Sequence, residues 1–72
     1  MATPTHDPGF ASNLRAARDE RGISQERLSE LAGLNWATVY RLEASEREPR
    51  LSTILSLARA LGMSGSDLIR GL

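Results

Sequence analysis

Apolar residues recur along this chain at helical spacing, in short runs that glycine or proline interrupts. Phe10, Leu14, Ala17 and the stem of Arg21 fall on one stripe, with Arg18 beside it. Asp7-Pro8 supplies a cap followed by proline at the first helical position, and Gly22 closes the run. A helix over about residues 8–21 follows. Ile23 plugs the junction to a second helix over about 25–32, capped by Ser24, in which Leu28, Leu31 and Ala32 share one face. Gly33 stops that helix and Asn35 caps a third, over about 36–44. There Val39 and Leu42 face inward, which leaves Trp36, Ala37, Tyr40 and Arg41 on the outer face. Residues 45–50 form a charged loop whose Pro49 blocks helix continuation. A fourth helix starts at about 51 or 53 and runs to 61, with Ile54, Leu55, Leu57, Ala58 and Leu61 as its apolar face and Gly62 at its end. Ser64-x-x-Asp67 has the form of a capping box and opens a short fifth helix reaching about residue 70, with Leu68, Ile69 and Leu72 as its apolar residues.

These runs predict an all-α, compact five-helix domain over residues 7–72, preceded by a disordered tail over 1–6. The stretch from Ser24 to Glu43 organises it. Two short helices joined by a tight glycine-containing turn, with a polar and aromatic outer face on the second, describe a helix-turn-helix.

Composition narrows the function. A domain of 72 residues buries only about 60% of its unfolded surface, so packed helices and dimerisation must supply its stability. There is no cysteine for a disulfide or a thiolate zinc site, and His6 reads as a solvated tail residue rather than a metal ligand. Without cysteine, a phosphate-binding glycine loop or a second histidine, an enzyme is not expected, nor is a cofactor. No apolar run reaches membrane-spanning length and the start lacks a signal pattern, so a cytoplasmic protein is expected. Net charge is zero, against the basic excess usual in nucleic-acid binders. All nine basic residues, however, are Arg, whose planar head makes bidentate contacts that Lys cannot make.

Arg18, Gly22-Ile23-Ser24-Gln25, Leu28, Ala32-Gly33-Leu34, Val39-x-x-Leu42-Glu43, Pro49 and Ala58-x-x-Leu61-Gly62 together form a recognisable pattern. From about Leu14 to Ile69 the chain resembles the phage-repressor and Cro-like helix-turn-helix family, often called XRE. Members are five-helix DNA-binding domains, commonly dimeric transcription regulators. The chain departs from the pattern at Ser29, often Ala, at Ser45, often Gly, and at Arg50, where a small capping residue is usual.

The resemblance implies double-stranded DNA as partner, with the third helix in the major groove. Arg41 is the best candidate base reader, since Arg donates two bonds to guanine, and Ala37 suits a thymine methyl. Trp36 and Tyr40 share that outer face and are counted with Arg41 and Ala37 as base-reading candidates. Trp36 either contacts sugar and thymine methyls or packs against a neighbouring helix, and Tyr40 offers its hydroxyl to phosphate. Ser24, Gln25, Asn35, Thr38, Arg47 and Arg50 are the expected phosphate contacts, with local pairing to Glu46 and Glu48 the alternative for the last two. By the same resemblance Arg18 and Glu43 form a buried structural ion pair. Leu68, Ile69 and Leu72 are the expected dimer contacts, Leu68 also facing inward, so that a homodimer reads a palindromic operator. Phage repressor, restriction–modification controller and antitoxin of a toxin–antitoxin pair all suit this size. A different class of function also stays open, a protein-interaction module that uses the Trp36 and Tyr40 face for a cognate protein partner.

Overall fold

In the computed structural model, which describes residues 9–70, the helices are α1 (Gly9–Glu20), α2 (Gln25–Leu31), α3 (Thr38–Glu43), α4 (Leu51–Leu61) and α5 (Gly65–Leu68). No strand occurs among the described residues. The expected Asp7-Pro8 helix start, the tail with His6, and Leu72 lie outside the described residues.

Every helix sends apolar side chains into one core. Phe10, Leu14 and Ala17 of α1 meet Leu28 of α2, Val39 and Leu42 of α3, Leu57, Ala58 and Leu61 of α4, and Leu68 of α5. Ile23, Leu34 and Met63, each just beyond a helix end, pack against it. Two expected core positions are corrected. Leu31 is 48% exposed and Leu55 is 46% exposed, because each sits at the margin of its helix's buried stripe. Ser29 takes the place expected for Leu31 and is fully buried on α2.

Four helices end in the same way. A residue just past each end adopts positive φ, and the next N–H reaches back five residues to a helical carbonyl. Ile23 N–H donates to the carbonyl of Arg18, Leu34 to Ser29, Glu46 to Arg41 and Met63 to Ala58. Glycine occupies the left-handed position three times, and Ser45, at φ 58°, holds it after α3.

Arg21, just past α1, adds a bond at the end of α4, and Asn13 of α1 closes the end of α5. Arg21 Nε donates to the Leu61 carbonyl at 2.6 Å, at the end of α4. Asn13 Nδ2 donates to the carbonyls of Leu68 at 3.0 Å and Arg70 at 2.8 Å, at the end of α5. These bonds satisfy carbonyls that have no partner within their own helix. They also fix α4 and α5 against the helix that supports α2 and α3.

Candidate nucleic-acid interface

The face carrying the predicted site is assembled around one carboxylate. Glu43 is the last residue of α3, and its side chain is fully buried. Arg18 of α1 grips it in bidentate fashion, with Nε to Oε2 at 2.7 Å and Nη2 to Oε1 at 2.9 Å. The third nitrogen, Nη1, donates to the Ile23 carbonyl at 2.9 Å. Oε1 also accepts from Gln25 Nε2 at 3.0 Å and from Arg15 Nε at 3.3 Å. Burial alone would push the Glu43 carboxyl up. Hydrogen bonds from Arg18 and Gln25, the Arg18 charge and the Arg15 bond outweigh it and hold the group below the ordinary glutamate range. The same hydrogen bonding to Glu43 raises Arg18.

This cluster ties the start of α2 to the end of α3. Gln25, expected as a donor open to phosphate, has its amide anchored to the buried carboxylate instead. Ser24 caps α2 as expected, accepting from Arg27 N–H at 3.0 Å. Arg15 is a participant that the sequence did not single out. Its side chain is 59% exposed although its Nε reaches the buried Glu43.

The turn into α3 differs from expectation. Asn35 Oδ1 accepts from Ala37 N–H at 2.9 Å and the Asn35 carbonyl accepts from Thr38 N–H at 2.9 Å. Asn35 therefore closes a turn through Trp36 and Ala37, and α3 begins at Thr38, two residues later than the spacing predicts. Ala37, at φ −92° and ψ −1°, is the cap residue of α3 and belongs to the turn before the helix. Its expected outward placement is corrected, since it is 5% exposed. Thr38 is also turned inward. Neither Ala37 nor Thr38 supplies a side-chain cap to α3. That role falls to Ser29 on α2, whose Oγ accepts from Val39 N–H at 3.1 Å.

Trp36 at 67% exposure, Tyr40 at 54% and Arg41 face solvent. The arginines divide sharply. Arg15, Arg18, Arg21, Arg27 and Arg70 are in ion pairs with Glu43, Glu43, Glu20, Glu30 and Asp67. Among the described residues no ion pair engages Arg41, Arg47, Arg50 or Arg59, and the alternative pairing of Arg47 and Arg50 with Glu46 and Glu48 is not formed. Three of these four cations lie on α3 and the loop that follows it.

Of the expected dimer contacts, Leu68 faces inward as expected. Leu68 is fully buried in its own core and presents nothing to a partner. Ile69 is 37% exposed, and it joins Leu51 at 71% and Leu55 at 46% as exposed apolar residues of α4 and α5.

A family profile described as helix-turn-helix matches residues 14–68. The control protein C.SmaI of Serratia marcescens is 39% identical over 60 residues, which span 83% of this chain and 71% of that protein. The crystal structure of the restriction-modification controller protein C.AhdI from Aeromonas hydrophila superposes with a TM-score of 0.80 at 38% identity, covering 83% of this chain and 91% of that one. The P22 c2 repressor, solved in complex with a synthetic operator, superposes with a TM-score of 0.77 at 30% identity, covering 88% of this chain and 96% of the repressor.

Proposed function

Because the chain belongs to the XRE-type helix-turn-helix family, we propose that it is a DNA-binding transcription regulator that reads a palindromic operator as a homodimer. The observation that carries this reading is the sorting of charge. The net charge is zero, yet the arginines of α1, α2 and the C-terminal turn are tied in ion pairs while, among the described residues, Arg41, Arg47 and Arg50 are not. Glu46 and Glu48 of the same loop are in no ion pair among the described residues either, so a neutral chain offers here a small net positive charge and three arginine heads able to turn to phosphate.

In the proposed complex α3 enters the major groove. Arg41 reads guanine, and Trp36 and Tyr40 contact sugars, thymine methyls or phosphate from the same face. Ser24, Gln25 and Asn35 mark the start of α2 and the turn before α3, and Arg47 and Arg50 hold the backbone on the far side. Arg15, exposed beside Gln25, joins the phosphate contacts. Ala37 is left out because its side chain is covered. The likeness to controller proteins and to an operator-bound repressor supports a regulator of the repressor or autoregulating controller type.

Selection of bound sequences from a random duplex pool tests the proposal. The expected result is a palindrome with half-sites about 34 Å apart. Arg41→Ala should then cost about 1–3 kcal/mol and relax specificity at one position of each half-site. The exposure of Trp36 and Tyr40 favours a second reading, a protein-docking face. No enriched sequence, with no response to Arg41→Ala, would select that reading over the first.

A further inference from the structure

A cleft of about 230 Å³ opens between α3, the loop after it and the start of α4. Arg47 and Arg50 line it, with Thr38 and Thr53 and the apolar Leu34 and Leu42 behind them. Glu48 also lines it, so the lining carries a single net positive charge.

Three features make this more than a gap between side chains. Thr38 is 9% exposed, and among the described residues no hydrogen bond engages its hydroxyl. No side-chain polar atom there is both fully buried and unpaired, so that hydroxyl opens onto the cleft it lines. The 11-residue α4 begins at the cleft without a side-chain cap, whereas Ser24 and Ser64 cap α2 and α5 and Ser29 covers the Val39 N–H of α3. Its first N–H groups therefore have no side-chain acceptor, with Glu48 the one carboxylate in the lining. Finally, the two guanidinium groups at the cleft are in no ion pair among the described residues.

Helix-start N–H groups without a side-chain acceptor, an accessible hydroxyl without a partner and two arginines that are in no ion pair among the described residues are complementary to a tetrahedral oxyanion, which offers only acceptors. We propose that this cleft binds a free phosphate group, as inorganic phosphate or a small phosphate monoester. The enclosed Thr38 favours a group that enters the cleft whole over the two outer oxygens that a duplex phosphodiester presents. Arg47 and Arg50 are also assigned to the DNA backbone. On that reading, on which this second step alone rests, bound phosphate and operator compete.

The test is a titration with inorganic phosphate at constant ionic strength and pH, followed by amide chemical shifts. Saturable shifts are expected at Thr38, Leu51, Ser52 and Thr53. Thr38→Val, which keeps the volume and removes the hydroxyl, should weaken the affinity by about tenfold, the worth of one hydrogen bond to a charged group. Arg50→Ala should weaken it as well. Shifts that rise without saturating, or saturation that is identical in Thr38→Val, would overturn the site. In phosphate-free buffer the selected operator is titrated separately. Operator binding with no saturable phosphate response removes only the phosphate site, and phosphate saturation without operator binding removes only the operator reading. Displacement of operator by phosphate in the wild type, lost in Thr38→Val, supports the competition. Equal displacement in both overturns it.

Discussion

At the residue scale, Glu43 and Ser45 stand close together in the chain and carry opposite consequences. Glu43 has four donors around a fully buried carboxylate, and its ionised form is favoured in the folded chain. Removing it strands the Arg18 charge, so Glu43→Ala should cost about 3 kcal/mol in urea unfolding, where an exposed pair would cost under about 1. The pH dependence has a definite sign. A carboxyl depressed on folding binds its proton more readily in the unfolded chain, so its contribution is complete above the ordinary glutamate range and is lost as pH falls through the depressed value. Urea midpoints should fall across that acidic window in the wild type, and Glu43→Gln should flatten this part of the fall. Ser45, by contrast, stands in the left-handed region, where a β-carbon is penalised by roughly 1–2 kcal/mol. Part of that penalty is offset because glycine loses more chain entropy on folding. Ser45→Gly should therefore raise stability by about 0.5–1 kcal/mol, seen as a higher urea midpoint with an unchanged slope.

At the element scale, what binds α2 to α3 is one hydroxyl as much as apolar contact. Ser29 Oγ meets the Val39 N–H, a donor at the start of α3 that no residue of its own turn satisfies. Ser29→Ala leaves that N–H buried and unpaired, and the expected cost is about 1–2 kcal/mol. Hydrogen exchange at the Val39 amide should quicken more than at Leu42, which keeps its intrahelical bond. If the two amides change equally, the loss is global and the cap is not specific. The same elements show what was legible in the sequence. Apolar spacing and the terminating glycines located all five helices, because burial and left-handed ends leave a local record in residue type. The Ser24 cap and the inward Val39 and Leu42 were readable for the same reason. Ser29, Asn13, Arg15 and the head group of Arg21 were not, since their partners lie 10, 55, 28 and 40 residues away. No local spacing encodes such a contact. The late start of α3 escaped for a different reason. Asn35 can cap a helix directly or close a turn before one, and its residue type is the same in both cases.

At the scale of the whole molecule, the proposed homodimer needs a surface to meet a second copy. Leu68 is spent in its own core, and the exposed apolar residues of this end are Leu51, Leu55 and Ile69. They are spaced to form one strip. Leu51 and Leu55 are one turn apart on α4, a β-carbon on Gly65 would stand 3.2 Å from Leu55 Cδ2, and Ile69 N–H bonds back one turn to the Gly65 carbonyl. An apolar strip across two helices suits a two-fold contact in which each copy covers the other. Leu55→Glu tests it with little harm to the monomer. The position is already half open, and a carboxylate introduced there would precede Arg59 by one helical turn, a favourable orientation for an ion pair with an arginine that has no other among the described residues. The wild type should sediment as a dimer at tens of micromolar and the variant as a monomer, with thermal stability of the monomer nearly unchanged. Affinity for a full palindrome should fall by roughly 100-fold or more, because the second half-site no longer binds as an intramolecular event. Affinity for an isolated half-site should not change. A variant that stays dimeric would move the interface elsewhere on the surface. A wild type that is monomeric both free and on DNA would leave a single recognition helix reading a single half-site.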